Sequence, residues 1–268
     1  MPNRREQLVN GEIYHIVIRR IEDYLLFKDI DDYYRGIFSI YEFNTTKPVE
    51  IAERRRIRIQ MKKDIKAKGD PLSPGGERVS PALTLDGRER LVDILAFCFM
   101  PNHIHLLLRQ LKGRGITTFM NKIGAGYPAY FKQKHGIKTK GYFFQDRFVS
   151  VHVKTDEQLK IAFVYIHANP ASLIEPKWKE IGIKNPKKVI EFLENYKWSS
   201  YQDYLGKKNF PSVIEKDFLL EVMGGKQGCK DFLEDWIKYK GEIRKFANLS
   251  LGETRSPLGE SGSPEDCV

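Results

Sequence analysis

The chain has 268 residues, of which 41% are hydrophobic and which include 16 Phe and 13 Tyr, enough for a buried core in one domain or two small ones. Forty-five Lys and Arg against 35 Asp and Glu give a formal net charge of +10, which points to a polyanionic partner, most simply nucleic acid. The three cysteines, Cys98, Cys229 and Cys267, form no CxxC and support neither a disulfide framework nor a zinc knuckle; the polar start and short apolar runs argue against a signal peptide or a membrane span. A soluble protein of a reducing compartment is expected.

Residues 12–20 read as a first strand, rich in β-branched and aromatic side chains and ending on Arg19 and Arg20. Residues 28–42 read as a helix whose buried face would carry Ile30, Tyr33, Tyr34, Ile37, Phe38 and Tyr41, spaced by three and four. From 47 to 90 the character changes: a basic block is followed by a Pro/Gly/Ser-rich stretch, Pro71 to Pro81. This is expected to be an insertion, basic element first and flexible loop second.

Residues 91–99 and 103–109 read as two strands joined by a tight Met100-Pro101-Asn102 connection, hence an antiparallel hairpin. Side chains alternate along a strand, so His103 and His105 share one face while Ile104 takes the other. Such a pair can hold a divalent metal or satisfy itself through hydrogen bonds.

An amphipathic helix starts at Ile116; Gly124, Gly126 and Pro128 inside it predict a kink or a close approach. Residues 142–153 read as a fourth strand. Thr155 then opens a helix, with Gln158 at the capping-box spacing, and Pro170 stops it. The succession β-α-β-β-α-β predicts an α+β, ferredoxin-like split βαβ with a four-stranded antiparallel sheet. A helical stretch near 187–195 and one or two helices over 215–247 follow. The expected domains are a catalytic unit over 1–205, a helical extension over 206–248 and a disordered tail over 249–268.

Tyr165 and Asn169 are four apart and so lie on one helix face, one turn apart. A metal held by His103, His105 and the amide oxygen of Asn169 can polarise a phosphate oxygen; imidazoles suit first-row metals, and an amide oxygen with waters suits Mg²⁺ or Mn²⁺. Tyr165 would then be the nucleophile. A free phenol ionises near pH 10, so a nearby cation must help the phenolate form. Attack on a DNA phosphate would leave a covalent phosphotyrosine, whose ester can be reversed to join another end without ATP.

Three stretches also carry a resemblance: Met100-Pro101-Asn102-His103-Ile104-His105-Leu106-Leu107, Tyr165-Ile166-His167-Ala168-Asn169-Pro170 and Tyr196-Lys197-Trp198-Ser199-Ser200-Tyr201. In that order they resemble the REP-associated tyrosine transposases, single-tyrosine transposases of the HUH (His-hydrophobic-His) endonuclease superfamily, over roughly residues 10–205. The Tyr14-His15-Ile16-Val17 strand is similar to that family's opening. The resemblance implies metal at His103 and His105, Asn169 as third ligand where insertion-sequence relatives commonly carry Gln, and Tyr165 forming a 5′-phosphotyrosine. It also implies single-stranded DNA with a hairpin as substrate, in a bacterial, cytoplasmic and nucleoid-associated setting, and a monomer or homodimer.

Arg19, Arg20, Lys122 and Arg147 are the expected contacts to the DNA backbone. His167 should point away from Tyr165, being two helical steps on. Two competing readings are a domesticated relative that binds hairpin DNA without cutting, and a metallohydrolase of small phosphate esters. The second leaves the basic charge and Tyr165 unexplained.

Overall fold

In the computed structural model the described residues are 7–50, a few positions between 53 and 60, and 88–238 apart from 139, 140, 146, 177 and 182. The interior of the expected basic insertion and the expected disordered tail lie outside them.

Strand β1 spans Ile13–Arg19 and is followed by helix α1, Ile30–Glu42. Strands β2, Val92–Phe99, and β3, His103–Gln110, form the hairpin across Pro101. Helix α2 runs Gly115–Lys134, β4 is Val149–Val153, and α3 is Asp156–Ala168, continued by a 3-10 turn over Asn169–Leu173. Beyond it come α4 (Trp178–Ile181), α5 (Pro186–Asn195), α6 (Tyr201–Tyr204), α7 (Asp217–Met223) and α8 (Gly225–Lys238). Gly224 and Gly225 both take positive φ, +78° and +83°, which a side chain would resist; this separates α7 from α8.

The sheet order is β2-β3-β1-β4 with every neighbouring pair antiparallel, so β3 lies between β1 and β2. That is the split βαβ arrangement, and the α+β ferredoxin-like expectation holds. Helices α1 and α2 cover one face of the sheet through Ile37, Ile40, Phe119, Ile123 and Tyr127, against Ile16, Ile18, Phe97, Phe99, Ile104 and Leu106. The other face is covered as well. There α3 packs with α6, α7 and α8, placing Phe163, Ile166, Tyr204, Leu219, Leu233 and Trp236 in one cluster with Leu95, Ala96, Cys98 and Leu107.

Strand β2 is buried at every position, as a strand covered on both faces must be. A register shift between Ile94 and Ala96 lets the consecutive residues Leu95 and Ala96 both serve the second core. Its outer edge is also closed: Phe99 N–H donates to Trp198 O (2.8 Å) and Ser200 N–H to Phe97 O (3.0 Å).

Two local expectations need correction. Helix α1 is capped by Asp29, whose carboxylate accepts from Asp32 N–H (3.0 Å), but it buries a different face. Ile30 and Tyr34 are exposed, while Gly36, Ile37, Ser39 and Ile40 are buried together with Asp32 and Arg35. The cause is Gly36: an added Cβ there would lie 2.5 Å from the Phe99 ring, so the helix comes down on its glycine side. The carboxylate of Asp32 is satisfied by Lys28 N–H, Tyr130 Oη–H, Lys134 Nζ and His135 Nε2.

The fourth strand is shorter than 142–153. Phe143 and Phe144 are adjacent yet both are buried in the α1/α2 core, which breaks the two-residue alternation a strand requires. Residues 143–145 still bond to 19–21, through Ile21 N–H to Phe143 O (3.2 Å) and Gln145 N–H to Arg19 O (3.0 Å), before β4 begins at Val149.

Helix α2 runs through Pro128 without ending, and of Gly124 and Gly126 it is Gly126 that marks a close approach, since a Cβ there would lie 2.3 Å from Phe43. The ends of the 47–90 segment meet: Thr46 N–H donates to Glu89 O (3.0 Å), and Asn44 bonds Leu91 and Val92.

Candidate active site on the histidine strand

Strand parity brings His103, His105 and Leu107 of β3 to the sheet face that α3 covers, and register brings Arg19, Val17 and His15 of β1 opposite them, in that order. A third histidine thus joins the pair. His15 Nε2 and His105 Nδ1 are 3.0 Å apart, and their rings lie nearly parallel, 5.1 Å between centroids and 7° between planes. His103 and His105 meet edge to face at 4.8 Å.

His103 Nδ1 lies 2.6 Å from Asn102 Oδ1. An amide oxygen only accepts, so His103 carries its proton on Nδ1 and keeps a lone pair on Nε2. The amide orientation is fixed in turn, because Asn102 Nδ2 donates to Asp23 Oδ1 (3.2 Å), the same carboxylate oxygen that receives Arg19 (2.8 Å).

Burial keeps these imidazoles neutral. His103 is pushed down to about 3 by burial, with the positive charges of Arg19 and Lys179 adding to the effect. Burial also holds His15 at about 4 and His105 well below the ordinary imidazole value, His105 further disfavoured by its neighbours His103 and His15. His105 Nε2 is buried and has no hydrogen-bond partner.

Tyr165 comes from α3. Thr155 caps that helix, accepting from Gln158 N–H (3.3 Å), while the Gln158 side chain accepts from Lys154 N–H (2.8 Å). The Tyr165 ring lies edge-on to His105 (5.6 Å) and His15 (5.8 Å), and histidines and tyrosine belong to the same chain. Lys179 Nζ, on α4, stands 3.3 Å from the Tyr165 hydroxyl and 5.0 Å from its ring centre.

Asn169 stays in the helical region (φ −51°, ψ −40°) despite the following proline, so its alignment with Tyr165 survives; its Nδ2 donates to Tyr165 O (2.7 Å). The amide oxygen is the end left to accept. His167 is turned to the core, as expected, with Nε2 2.8 Å from Ser200 Oγ.

The four expected DNA contacts are placed differently from one another. Arg147 is exposed, and Arg19 is partly exposed in its ion pair with Asp23. Arg20 is buried, its guanidinium over Phe131 (4.5 Å) and Phe143 (4.1 Å) with a bond to Leu25 O (2.9 Å). Lys122 donates to the carbonyls of Thr45 and Lys47, at the root of the 47–90 segment.

His15 and Lys179 escaped the sequence reading. His15 has the right strand parity, but only the β1–β3 register sets it against His105. Lys179 stands fourteen residues beyond Tyr165 with no helical spacing to it.

Among the described residues, the carboxylate and imidazole group close enough to hold an ion is Asp29, Asp32 and His135, and Lys134 Nζ already lies 2.5 and 2.9 Å from its two carboxylates. No helix among the described residues is long and apolar enough to cross a membrane.

Comparison with curated proteins finds no match. Among solved structures, one described as a REP-associated tyrosine transposase bound to a REP hairpin is similar at 13% identity, with a TM-score of 0.40 over 81% of this chain and 93% of that one. Residues 84–169 match the sequence profile of the family described as "Transposase IS200 like". That match runs from before β2 to Asn169 and takes in both histidines of β3 and Tyr165, so over this segment the chain is similar to the IS200-like transposase family.

Proposed function

We propose that the protein is a single-tyrosine DNA endonuclease and strand transferase that cuts and rejoins single-stranded DNA beside a hairpin. Tyr165 would be its nucleophile, and His103, His105 and Asn169 would hold Mg²⁺ or Mn²⁺. One observation carries the reading: the Tyr165 phenol stands against the His105 ring with the Lys179 ammonium beside its oxygen, all in one chain.

The donor set fits a cation. His103 presents an Nε2 lone pair, His105 has a buried Nε2 without a partner, and both imidazoles are neutral. With the Asn169 oxygen they would make a mixed nitrogen and oxygen set, and a bound cation would supply Lewis-acid polarisation of a phosphate oxygen.

The chain's own groups do the rest. The Lys179 ammonium donates to the Tyr165 oxygen and holds it in place beside the histidines. The phenolate attacks the scissile phosphorus, an O–P bond forms, and the bond to the 3′ oxygen breaks. That oxygen leaves as a 3′-hydroxyl after taking up a proton, and the 5′-phosphate stays on Tyr165. A second 3′-hydroxyl reverses the step and joins a new end. Arg147, exposed, and Arg19, partly exposed beside Asp23, are the cations proposed for the DNA backbone. Arg20 and Lys122 serve indirectly, by holding the end of β1 and the root of the 47–90 segment. The setting is the bacterial cytoplasm, on nucleoid DNA.

The test is adduct formation on a single-stranded hairpin oligonucleotide with Mg²⁺ or Mn²⁺. Wild type yields a covalent protein–DNA species whose linkage maps to Tyr165, and Tyr165→Phe yields none while still binding. An adduct that survives Tyr165→Phe sinks the assignment. Binding without any cut product in either metal would mean a domesticated hairpin-binding protein.

A further inference from the structure

His15 lies outside every role given above, yet it makes a direct side-chain contact to His105. Register explains how. His15 pairs with Leu107 and His105 with Val17, so His15 sits diagonally from His105, on the Leu107 side, and His103 sits on the opposite side along β3. His105 Nδ1 is the atom turned to His15, at 3.0 Å. The other ring nitrogen, Nε2, is not engaged with His15 and is buried without a partner.

Both rings are buried and neutral, so one proton occupies the gap between His15 Nε2 and His105 Nδ1. If His15 owns it, the proton of neutral His105 sits on Nε2 and closes that nitrogen to a cation. If His105 owns it, Nε2 is a lone pair. Either way the metal-free chain has two buried ring nitrogens without partners, His15 Nδ1 and His105 Nε2.

Two features decide between the arrangements. The neighbouring His103 already has its proton on Nδ1, fixed by the Asn102 amide oxygen, and its lone pair on Nε2. The proposed cation position requires the same of His105, whose Nε2 is the ring nitrogen not engaged with His15 and is buried without a partner.

We infer that His15 is a positioning residue: its Nε2 accepts the Nδ1–H of His105, which turns the His105 Nε2 lone pair toward the cation position beside His103. The two ligands are then held in matching tautomers by different acceptors, an amide oxygen for His103 and an imidazole for His105. No proton is gained or lost. The acceptor behind a ligating histidine fixes its tautomer and raises its basicity, and losing such a partner costs about 10- to 100-fold in metal affinity.

The inference rests on the proposed cation site, and the experiment separates the two. Long-range proton–nitrogen spectra of the metal-free full chain, assigned with single histidine variants, report which nitrogen of His105 is protonated. A proton on Nδ1 is expected; a proton on Nε2 overturns the inference. Mn²⁺ alone is then titrated and followed by loss of the free-ion electron spin resonance signal. His15→Leu, which has no acceptor, is expected to bind Mn²⁺ about tenfold more weakly or worse, and His15→Gln, whose amide oxygen can accept, to stay close to wild type. Equal affinity in wild type and a folded His15→Leu overturns the inference. If His15→Leu does not fold, the wild-type spectrum decides alone. A wild-type chain that takes up no Mn²⁺ refutes the cation site, while its spectrum still settles the His15–His105 tautomer.

Discussion

Lys179 Nζ stands 3.3 Å from the hydroxyl oxygen of Tyr165, on a separate short helix, so the phenol meets a cation from the side away from the core. Removing that cation while keeping the side-chain length should slow cleavage without loosening the fold. Lys179→Met is expected to lower the adduct-formation rate by about tenfold or more at neutral pH, and Lys179→Arg to recover most of it. Hairpin binding, read by mobility shift, should stay near wild type. A Lys179→Met protein that cuts at the wild-type rate would remove Lys179 from the reaction.

Chelation should separate binding from chemistry. Protein stripped with EDTA is expected to bind the hairpin oligonucleotide and form no adduct, with activity returning on addition of Mn²⁺ or Mg²⁺. His103→Ala and His105→Ala should behave as the stripped protein does and should not be rescued by the metals. Undiminished adduct in EDTA would mean that the histidines serve another purpose.

Acid should destabilise the fold through its buried imidazoles. His15 and His167, 2% and 1% exposed, are held by burial at about 4 and about 3, below the unfolded value near 6.5. Between those values the unfolded chain binds more protons than the folded one, so stability is lost as pH falls through 6.5 toward 4. Each such histidine contributes roughly 1.4 kcal/mol per pH unit across that window. His167→Gln, which can still reach Ser200 but does not titrate, should flatten the dependence of the urea midpoint on pH. An unchanged slope would show that His167 is not held neutral.

Gly36 sets the seat of α1 on the sheet. Alanine would favour the helix by about 1 kcal/mol, yet its Cβ would sit 2.5 Å from Phe99 and 2.9 Å from Phe27. Overpacking in a filled core costs about 1–3 kcal/mol, so Gly36→Ala is expected to be net destabilising in urea titration. A stabilised variant would show that the two rings give way freely.

Local periodicity made the sheet and the main helices legible: the alternation around His103 and His105, the hairpin at Pro101 and the Thr155 cap all read directly from the residues. The Tyr165–Asn169 alignment was legible too, because i and i+4 are helix neighbours whatever surrounds them. What no local window contains is register across distance. His15 and His105 are ninety residues apart, and only strand pairing says that they touch. The face of α1 was misplaced for a related reason: six large apolar residues outweighed one glycine in the pattern, while packing against Phe99 favoured the glycine. Arg20 looked like a surface cation because its aromatic partners, Phe131 and Phe143, lie more than a hundred residues away.

Ser200 joins the two halves of the site. Its Oγ accepts from Phe97 N–H (2.9 Å) on β2 and meets His167 Nε2 (2.8 Å) on α3, while its own N–H donates to Phe97 O (3.0 Å). β2 is the hairpin partner of the histidine strand and α3 carries Tyr165, so a single hydroxyl acts as a datum from which both are measured. A tyrosine helix that swung across to a second protomer would have to leave that datum and pull Phe163 and Ile166 out of the core shared with Trp236. The gap between the histidines and Tyr165 thus has the character of a fixed jaw, and in the proposed reaction the flexibility would have to come from the DNA strand rather than from the helix.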